Sequence, residues 1–266
     1  LKKMVLSPAE RKNGRLSKNK LSLALRALSE VGYVVIEGVI PGDFIHETKQ
    51  VCNRILHRYL KKEENRQHCI DDRAGHVGMS APCKMPFMDA QIIENSFAMQ
   101  ILHEAMDGDF FCTFYNTNTA WPGSGVQRIH RDTKQLFPGL PFSLPIHMVV
   151  VNIPLVDFTI ENGATEVWPG SHLICDDQNE ARINAERAQT LPSIRTVMRA
   201  GSVVVRDMRM WHRGMPNRTD TIRTMLALVY FRGFLNRDSQ LTIPRSSWDQ
   251  MTEQSKHLFR FNKIGR

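Results

Sequence analysis

The residues of this chain best suited to chemistry are the triplet His130-Arg131-Asp132 and, far downstream, His212 and Arg223. On an extended strand, side chains two positions apart share a face, so the His130 imidazole and the Asp132 carboxylate can grip one metal ion while Arg131 points away. A second imidazole, from His212, completes a facial triad of two histidines and one carboxylate, the set a mononuclear iron(II) oxygenase needs. Such a triad leaves three coordination positions open for a chelating co-substrate and dioxygen. Arg223 carries a planar, permanently charged fork that matches the distal carboxylate of a dicarboxylic co-substrate. A salt bridge to Asp207 is the competing role for this arginine. His172 and His147 compete with His212 as third ligand, although His172 follows a tight turn and leads into a polar excursion rather than a strand.

The elements that must position these groups follow from hydrophobic periodicity. Leu21, Leu23, Leu25 and Leu28 among charged residues predict an amphipathic helix from Ser17 to about Gly32. A short strand, Tyr33-Val34-Val35-Ile36, comes next, and a second helix runs from the Pro41-Gly42-Asp43 turn to about Leu60. Residues 61–90 are polar and interrupted by Gly75, Gly78, Pro82 and Pro86, which predicts a long irregular loop, with 69–88 as a mobile lid. From Phe110 onward the texture is short strands near 110–118, 126–132, 145–155, 164–168, 202–206 and 221–232. Asn162-Gly163 and Pro169-Gly170-Ser171 supply turns. Residues 173–195 read as an excursion with a short helix, and Ser246-Ser247 can cap a last helix running to about Phe259.

Length and composition are consistent with one domain over 1–266, divided into a basic arm (1–20), a mostly helical part (21–105), a β core (106–235) and a C-terminal helix and tail (236–266). At 266 residues and 42% hydrophobic the chain can bury its own core. Seven basic residues against Glu10 place six of the eight net positive charges in the first twenty residues. This predicts a solvated arm and speaks against a nucleic-acid-binding surface elsewhere. The five cysteines form no C-x-x-C pair, so no zinc site or disulfide framework is indicated, and a reducing, cytoplasmic setting follows. No apolar run reaches the roughly 20 residues of a membrane span.

The triplet His130-Arg131-Asp132, the segment Asn162-Gly163-Ala164-Thr165 through Pro169-Gly170-Ser171-His172, His212 with Arg223, and the strand Gly32 to Ile40 together resemble the phytanoyl-CoA dioxygenase family of Fe(II)/2-oxoglutarate oxygenases. The resemblance implies a double-stranded β-helix (jelly-roll) core with helices packed outside it. It implies iron ligation by His130, Asp132 and His212, and a salt bridge from Arg223 to 2-oxoglutarate. It also suggests Gln127 and Thr165 as co-substrate contacts, and it sets Gly214 where some relatives carry a serine that helps hold the carboxylate. The implied reaction consumes 2-oxoglutarate and dioxygen, releases succinate and oxidises a substrate C–H bond by hydroxylation, desaturation or cyclisation. A carboxylate at Asp132 argues against a halogenating relative. Thr133, Gln135, Phe137 and Met79 are the candidate substrate contacts, with Met85 and Met88 as further cavity-lining candidates. The expected substrate is a small, largely apolar natural-product-type molecule, and a homodimer is compatible with the sequence. An acyl-CoA hydroxylase of the same family, or a cupin-like dioxygenase that does not use 2-oxoglutarate, are the alternatives; the second gives Arg223 no role.

Overall fold

In the computed structural model, residues 3–175, 179–235 and 241–266 are described. Ten strands build two sheets: β1 (Lys3–Val5), β2 (Tyr33–Glu37), β3 (His76–Ser80), β4 (Phe110–Ala120), β5 (Met148–Pro154), β6 (Glu166–Val167), β7 (Ile194–Arg195), β8 (Val203–Asp207), β9 (His212–Arg213) and β10 (Arg223–Arg232). The large sheet has the order β1-β2-β8-β5-β10-β4-β3 and the small one the order β7-β6-β9. Only the β1–β2 pair of the large sheet is parallel. The two sheets enclose a cavity, giving the jelly-roll architecture of a double-stranded β-helix.

Strict alternation along the strands creates the two faces of the large sheet. Leu226, Leu228 and Tyr230 of β10, Val149, Val151 and Ile153 of β5, and Val203 and Val205 of β8 join the main core with residues of the helices Lys18–Glu30, Gly42–Tyr59 and Ser96–Ala105. The residues between them, Met225, Ala227, Val229 and Phe231 on β10, face the cavity. Burying each such aliphatic side chain is worth roughly 1.5–3 kcal/mol. A one-residue slip of β10 would exchange its faces, so the register is firmly held. One irregularity interrupts it: Val229 pairs with Phe114 but Tyr230 with Cys112, which leaves Thr113 as the extra residue of a bulge.

The structure corrects several sequence expectations. Residues 3–16 of the basic arm are docked: β1 pairs with β2, and Leu6 and Leu16 are buried in the main core. Ser7 and Glu10 form a reciprocal capping box on the helix Pro8–Asn13, and Glu10 also pairs with Lys20. The predicted loop 61–90 contains helical residues 63–72 and the edge strand β3, in register with β4. Val77 and Met79 pack with Leu56, Leu60 and Cys69, so residues 76–80 of the proposed lid are part of the sheet. Residues 126–132 form a single β-bridge rather than a strand, and 164–168 shrinks to β6. The last helix splits into Arg245–Trp248 and Glu253–Leu258 because Thr252 caps the second piece, its hydroxyl accepting from the Ser255 amide. No helix among the described residues is long and apolar enough to cross a membrane.

Candidate active site

The turn that leads from β8 of the large sheet to β9 of the small one positions His212. Asp207, at the end of β8, accepts from the amide and the side chain of Arg209, fixing the turn that leads to Trp211 and His212. The irregular segment 127–133 runs antiparallel beside β9. Its amide ladder includes Gln127 N to Gly214 O (2.9 Å), His130 N to His212 O (3.0 Å), His212 N to His130 O (2.9 Å) and Asp132 N to Met208 O (3.0 Å). His130 and His212 are therefore directly opposed, their ring centroids 4.3 Å apart. Asp132 Oδ1 lies 3.9 Å from His130 Nε2 and 3.5 Å from His212 Nε2. One ligand atom from each of the three residues falls within 4.8 Å of the others.

The surroundings prepare these atoms for a cation. His130 Nδ1 is 3.0 Å from the Arg128 carbonyl and His212 Nδ1 is 3.1 Å from the Met210 carbonyl. The two carbonyl contacts call for Nδ1–H donors, which assigns the Nε2 lone pairs to the shared space; Arg206 Nη1, 3.2 Å from His212 Nδ1, is itself only a donor and does not bond to that protonated nitrogen. Arg206 Nη2 donates to Asp132 Oδ2 (2.7 Å), leaving Oδ1 turned toward both imidazoles. Burial pushes the Asp132 carboxyl up, but His212, Arg206 and His130 together outweigh it and hold the group well below the usual carboxylate range. Burial, reinforced by Arg206, brings His212 down to about 3. A neutral imidazole beside an ionised carboxylate is the protonation state metal ligation requires.

Arg223 opens β10 and is 3% exposed. Its Nη2 donates to the Gly163 carbonyl (2.9 Å), its guanidinium carbon lies 4.6 Å from the centre of the Phe158 ring, and its Nε is buried without a partner. Burial, with Arg195 nearby, lowers its pKa to about 10, so it stays charged at neutral pH. The competing salt bridge to Asp207 is absent, because that carboxylate is held by Arg209 at 2.6 Å. Gly163 adopts φ +83°, and a Cβ there would sit 2.4 Å from the Met215 carbonyl, so the turn that presents its oxygen to Arg223 requires glycine.

His130, Asp132, His212 and Arg223 line one cavity of about 830 Å³, together with Gln127 and Thr165. The Gln127 side-chain oxygen Oε1 accepts from the Gly214 amide (2.8 Å). A side chain at Gly214 would meet His76 Cε1 at 2.5 Å and Gln127 Oε1 at 2.6 Å, so His76 occupies the space a serine would need. His76 is tied through Nε2 to the Gly125 carbonyl (2.8 Å), and its burial lowers its pKa.

Pairings across the large sheet arrange the cavity wall in rows. Arg223, Ala120 and His76 form the first, and Met225, Asn118 and Gly78 the next. Then come Val204, Asn152, Ala227 and Asn116, followed by Arg206, Val150, Val229 and Phe114, and last Met148 with Phe231. The wall thus passes from a cation, through amides, to an end that is apolar apart from Arg206, whose guanidinium is engaged by Asp132.

The four suggested substrate contacts lie elsewhere. Met79 faces the opposite side of β3, and Phe137 is 59% exposed to solvent. Gln135 bridges the His172 carbonyl and Arg209, while Thr133 is held through its amide to the Met208 carbonyl. Met88 belongs to the main core and Met85 is exposed; the methionines on the cavity wall are Met148, Met198, Met208, Met210 and Met225. His172 bonds the Ser29 carbonyl (3.0 Å), and neither it nor His147 joins the triad cluster. Arg206 was not singled out in the sequence, where a cation directly after the apolar run Val203–Val205 was the available signal.

Comparison with known proteins gives a consistent picture. The family described as Phytanoyl-CoA dioxygenase (PhyH) matches residues 28–225. The dioxygenase trt7 of Aspergillus terreus is 30% identical over 88% of this chain and 82% of its own length. The multifunctional dioxygenase ausE of Penicillium brasilianum is 27% identical over 88% and 81%. Among solved structures, the non-heme alpha ketoglutarate dependent carbocyclase SnoK from nogalamycin biosynthesis superposes with a TM-score of 0.58 at 20% identity, covering 83% of this chain and 85% of that one. HygX from Streptomyces hygroscopicus, with nickel, 2-oxoglutarate and hygromycin B bound, gives 0.62 at 14% identity over 85% and 93%. The chain belongs to the phytanoyl-CoA dioxygenase family of iron(II)/2-oxoglutarate-dependent oxygenases.

Proposed function

We propose that His130, Asp132 and His212 hold iron(II), that Arg223 anchors the distal carboxylate of 2-oxoglutarate, and that the enzyme oxidises a C–H bond of a small, largely apolar natural-product-type molecule. The observation that carries this reading is the buried Arg223: among the described residues it has one carbonyl partner, an unpartnered Nε and no carboxylate partner, in the same cavity as the triad. A charged guanidinium in such a place calls for an anion. The donor set fits the metal, since both Nε2 atoms and Oδ1 face one another. Iron with 2-oxoglutarate supplies the oxidising power, dioxygen being reduced as the co-substrate is decarboxylated to succinate.

The chain's own residues do the rest. Arg206 fixes Asp132, the Arg128 and Met210 carbonyls fix the two rings, and Gln127 and Thr165 border the space left for the co-substrate. The apolar rows give a carbon skeleton a dry wall beside the triad. Natural-product chemistry in the relatives, among them the epimerase SnoN in complex with Fe3+, alpha ketoglutarate and nogalamycin RO, supports this substrate class over an acyl-CoA. The docked N-terminal arm also removes the free basic segment that an acyl-CoA reading would employ. The free cysteines suit a cytoplasmic setting. Anaerobic addition of iron(II) and then 2-oxoglutarate should produce a weak visible metal-to-ligand charge-transfer band. A spectrum identical to that with iron(II) alone would overturn the co-substrate assignment.

A further inference from the structure

Of the three arginines that line the cavity, one, Arg73, is left unused by the metal and co-substrate assignments. Arg73 is exposed and lines the cavity, as do Gly78 and Asn116. A Cβ placed on Gly78 would lie 3.6 Å from Arg73 Nη1 and 4.0 Å from Asn116 Nδ2. A guanidinium donor and an amide donor thus converge on the space above a residue that has no side chain. Gly78 does not have a positive φ, so its backbone does not require glycine; the absence of a side chain leaves that space open. Among the described residues neither Arg73 nor Asn116 has a hydrogen-bonded side-chain partner or an ion pair. Beyond Asn116 the wall turns apolar, through Val229 and Phe114 to Met148 and Phe231.

We propose that Arg73 Nη1 and Asn116 Nδ2, meeting over Gly78, bind a carboxylate carried by the organic substrate, whose apolar body lies on Phe114, Val150, Val229 and Phe231. This rests on the function proposed above and adds the substrate's polar end to it. One guanidinium matches one negative charge, and a charge-assisted bond at the cavity rim orients an otherwise featureless apolar molecule. Arg223 cannot substitute for it once 2-oxoglutarate is bound there.

The test uses the full chain loaded anaerobically with iron(II) and 2-oxoglutarate, so that Arg223 is occupied. Decanoate and methyl decanoate, a pair with the same carbon chain that differ in charge, are titrated by calorimetry. Decanoate should bind at least about tenfold more tightly than the ester, the gain expected of a charge-assisted hydrogen bond. Arg73→Met should erase that preference. Gly78→Ala, whose added methyl group makes only ordinary contacts, should reduce it while leaving all charges in place. Both variants should keep the charge-transfer band and the thermal midpoint. Equal binding of acid and ester, no binding of decanoate, or a preference that survives Arg73→Met would each overturn the proposal. Absence of the band in the parent protein would instead count against the co-substrate assignment, so the two failures are distinguishable.

Discussion

Replacing Arg223 with leucine separates the cost of a buried charge from its use. In the ligand-free protein the guanidinium gives up hydration for a single 2.9 Å bond to Gly163 and a contact with the Phe158 ring, and its Nε is left unpaired. An unsatisfied buried donor costs about 1–3 kcal/mol, roughly what the one charged hydrogen bond returns. Arg223→Leu should therefore leave the ligand-free thermal midpoint unchanged or raise it. With 2-oxoglutarate the sign reverses: losing a charge-assisted bond worth about 1.5–3 kcal/mol should weaken binding between about tenfold and somewhat over a hundredfold. The assay is an anaerobic titration of the iron-loaded protein with 2-oxoglutarate, read in the visible band, with the thermal midpoint followed in parallel. Saturating co-substrate should stabilise the parent protein but the variant much less, because stabilisation scales with the logarithm of ligand concentration over Kd. Equal Kd values in parent and variant would refute the role given to Arg223. So would a large loss of ligand-free stability, since it would mean that the arginine holds the fold together.

Other substitutions probe the remaining parts. His212→Ala and Asp132→Ala should lose stoichiometric iron(II) on metal analysis while retaining the native circular dichroism; His172→Ala should keep its iron. Arg206→Met frees Asp132 Oδ2 and should weaken iron binding by about ten- to a hundredfold, measured by competition with a chelator. Arg209→Met leaves the buried Asp207 carboxylate without its partner and should lower stability by about 3–5 kcal/mol in urea unfolding. Gly163→Ala forces a Cβ against the Met215 carbonyl and should destabilise the fold as well as weaken 2-oxoglutarate binding, whereas an unchanged urea midpoint would contradict the packing described.

Some of this was legible in the sequence because it is local. The alternation of Arg223, Met225, Ala227, Val229 and Phe231 with Leu226, Leu228 and Tyr230 announces a two-faced strand, and the structure has it at β10. The H-x-D spacing suggested two groups on one face. The structure does bring them together, yet on a ladder of isolated bonds rather than a strand, because the partner β9 is only two residues long. β3 was obscured by the glycines and prolines on both sides, although its own residues alternate between the Met79 cluster and the cavity. The N-terminal arm looked solvated because charge dominates its composition. What docks it is Leu6, Leu16 and the Ser7–Glu10 capping box, whose S-x-x-E spacing with Pro8 at the first helical position was present to be read. Arg206 and Arg73 act across gaps of dozens of residues, and no local pattern encodes such meetings.

The candidate metal residues and the wall rows occupy different parts of the molecule: the triad stands on β9 and its neighbouring segment, the rows on the large sheet. The three candidate ligands and the apolar part of the wall are thereby carried on separate supports, and of the large sheet's residues it is Arg206 and Arg223 that reach across to the metal and co-substrate side. Ala227, set between Asn152 and Asn116, puts only a methyl group into that wall. Enlarging it would reshape which molecules enter and which carbon they present, while the ring-fixing carbonyls of Arg128 and Met210 remain in place. Such a division would let one scaffold take new substrates by exchanging Ala227, Val229 and their row neighbours Val150 and Phe114, without passing through a form that has lost its metal ligands.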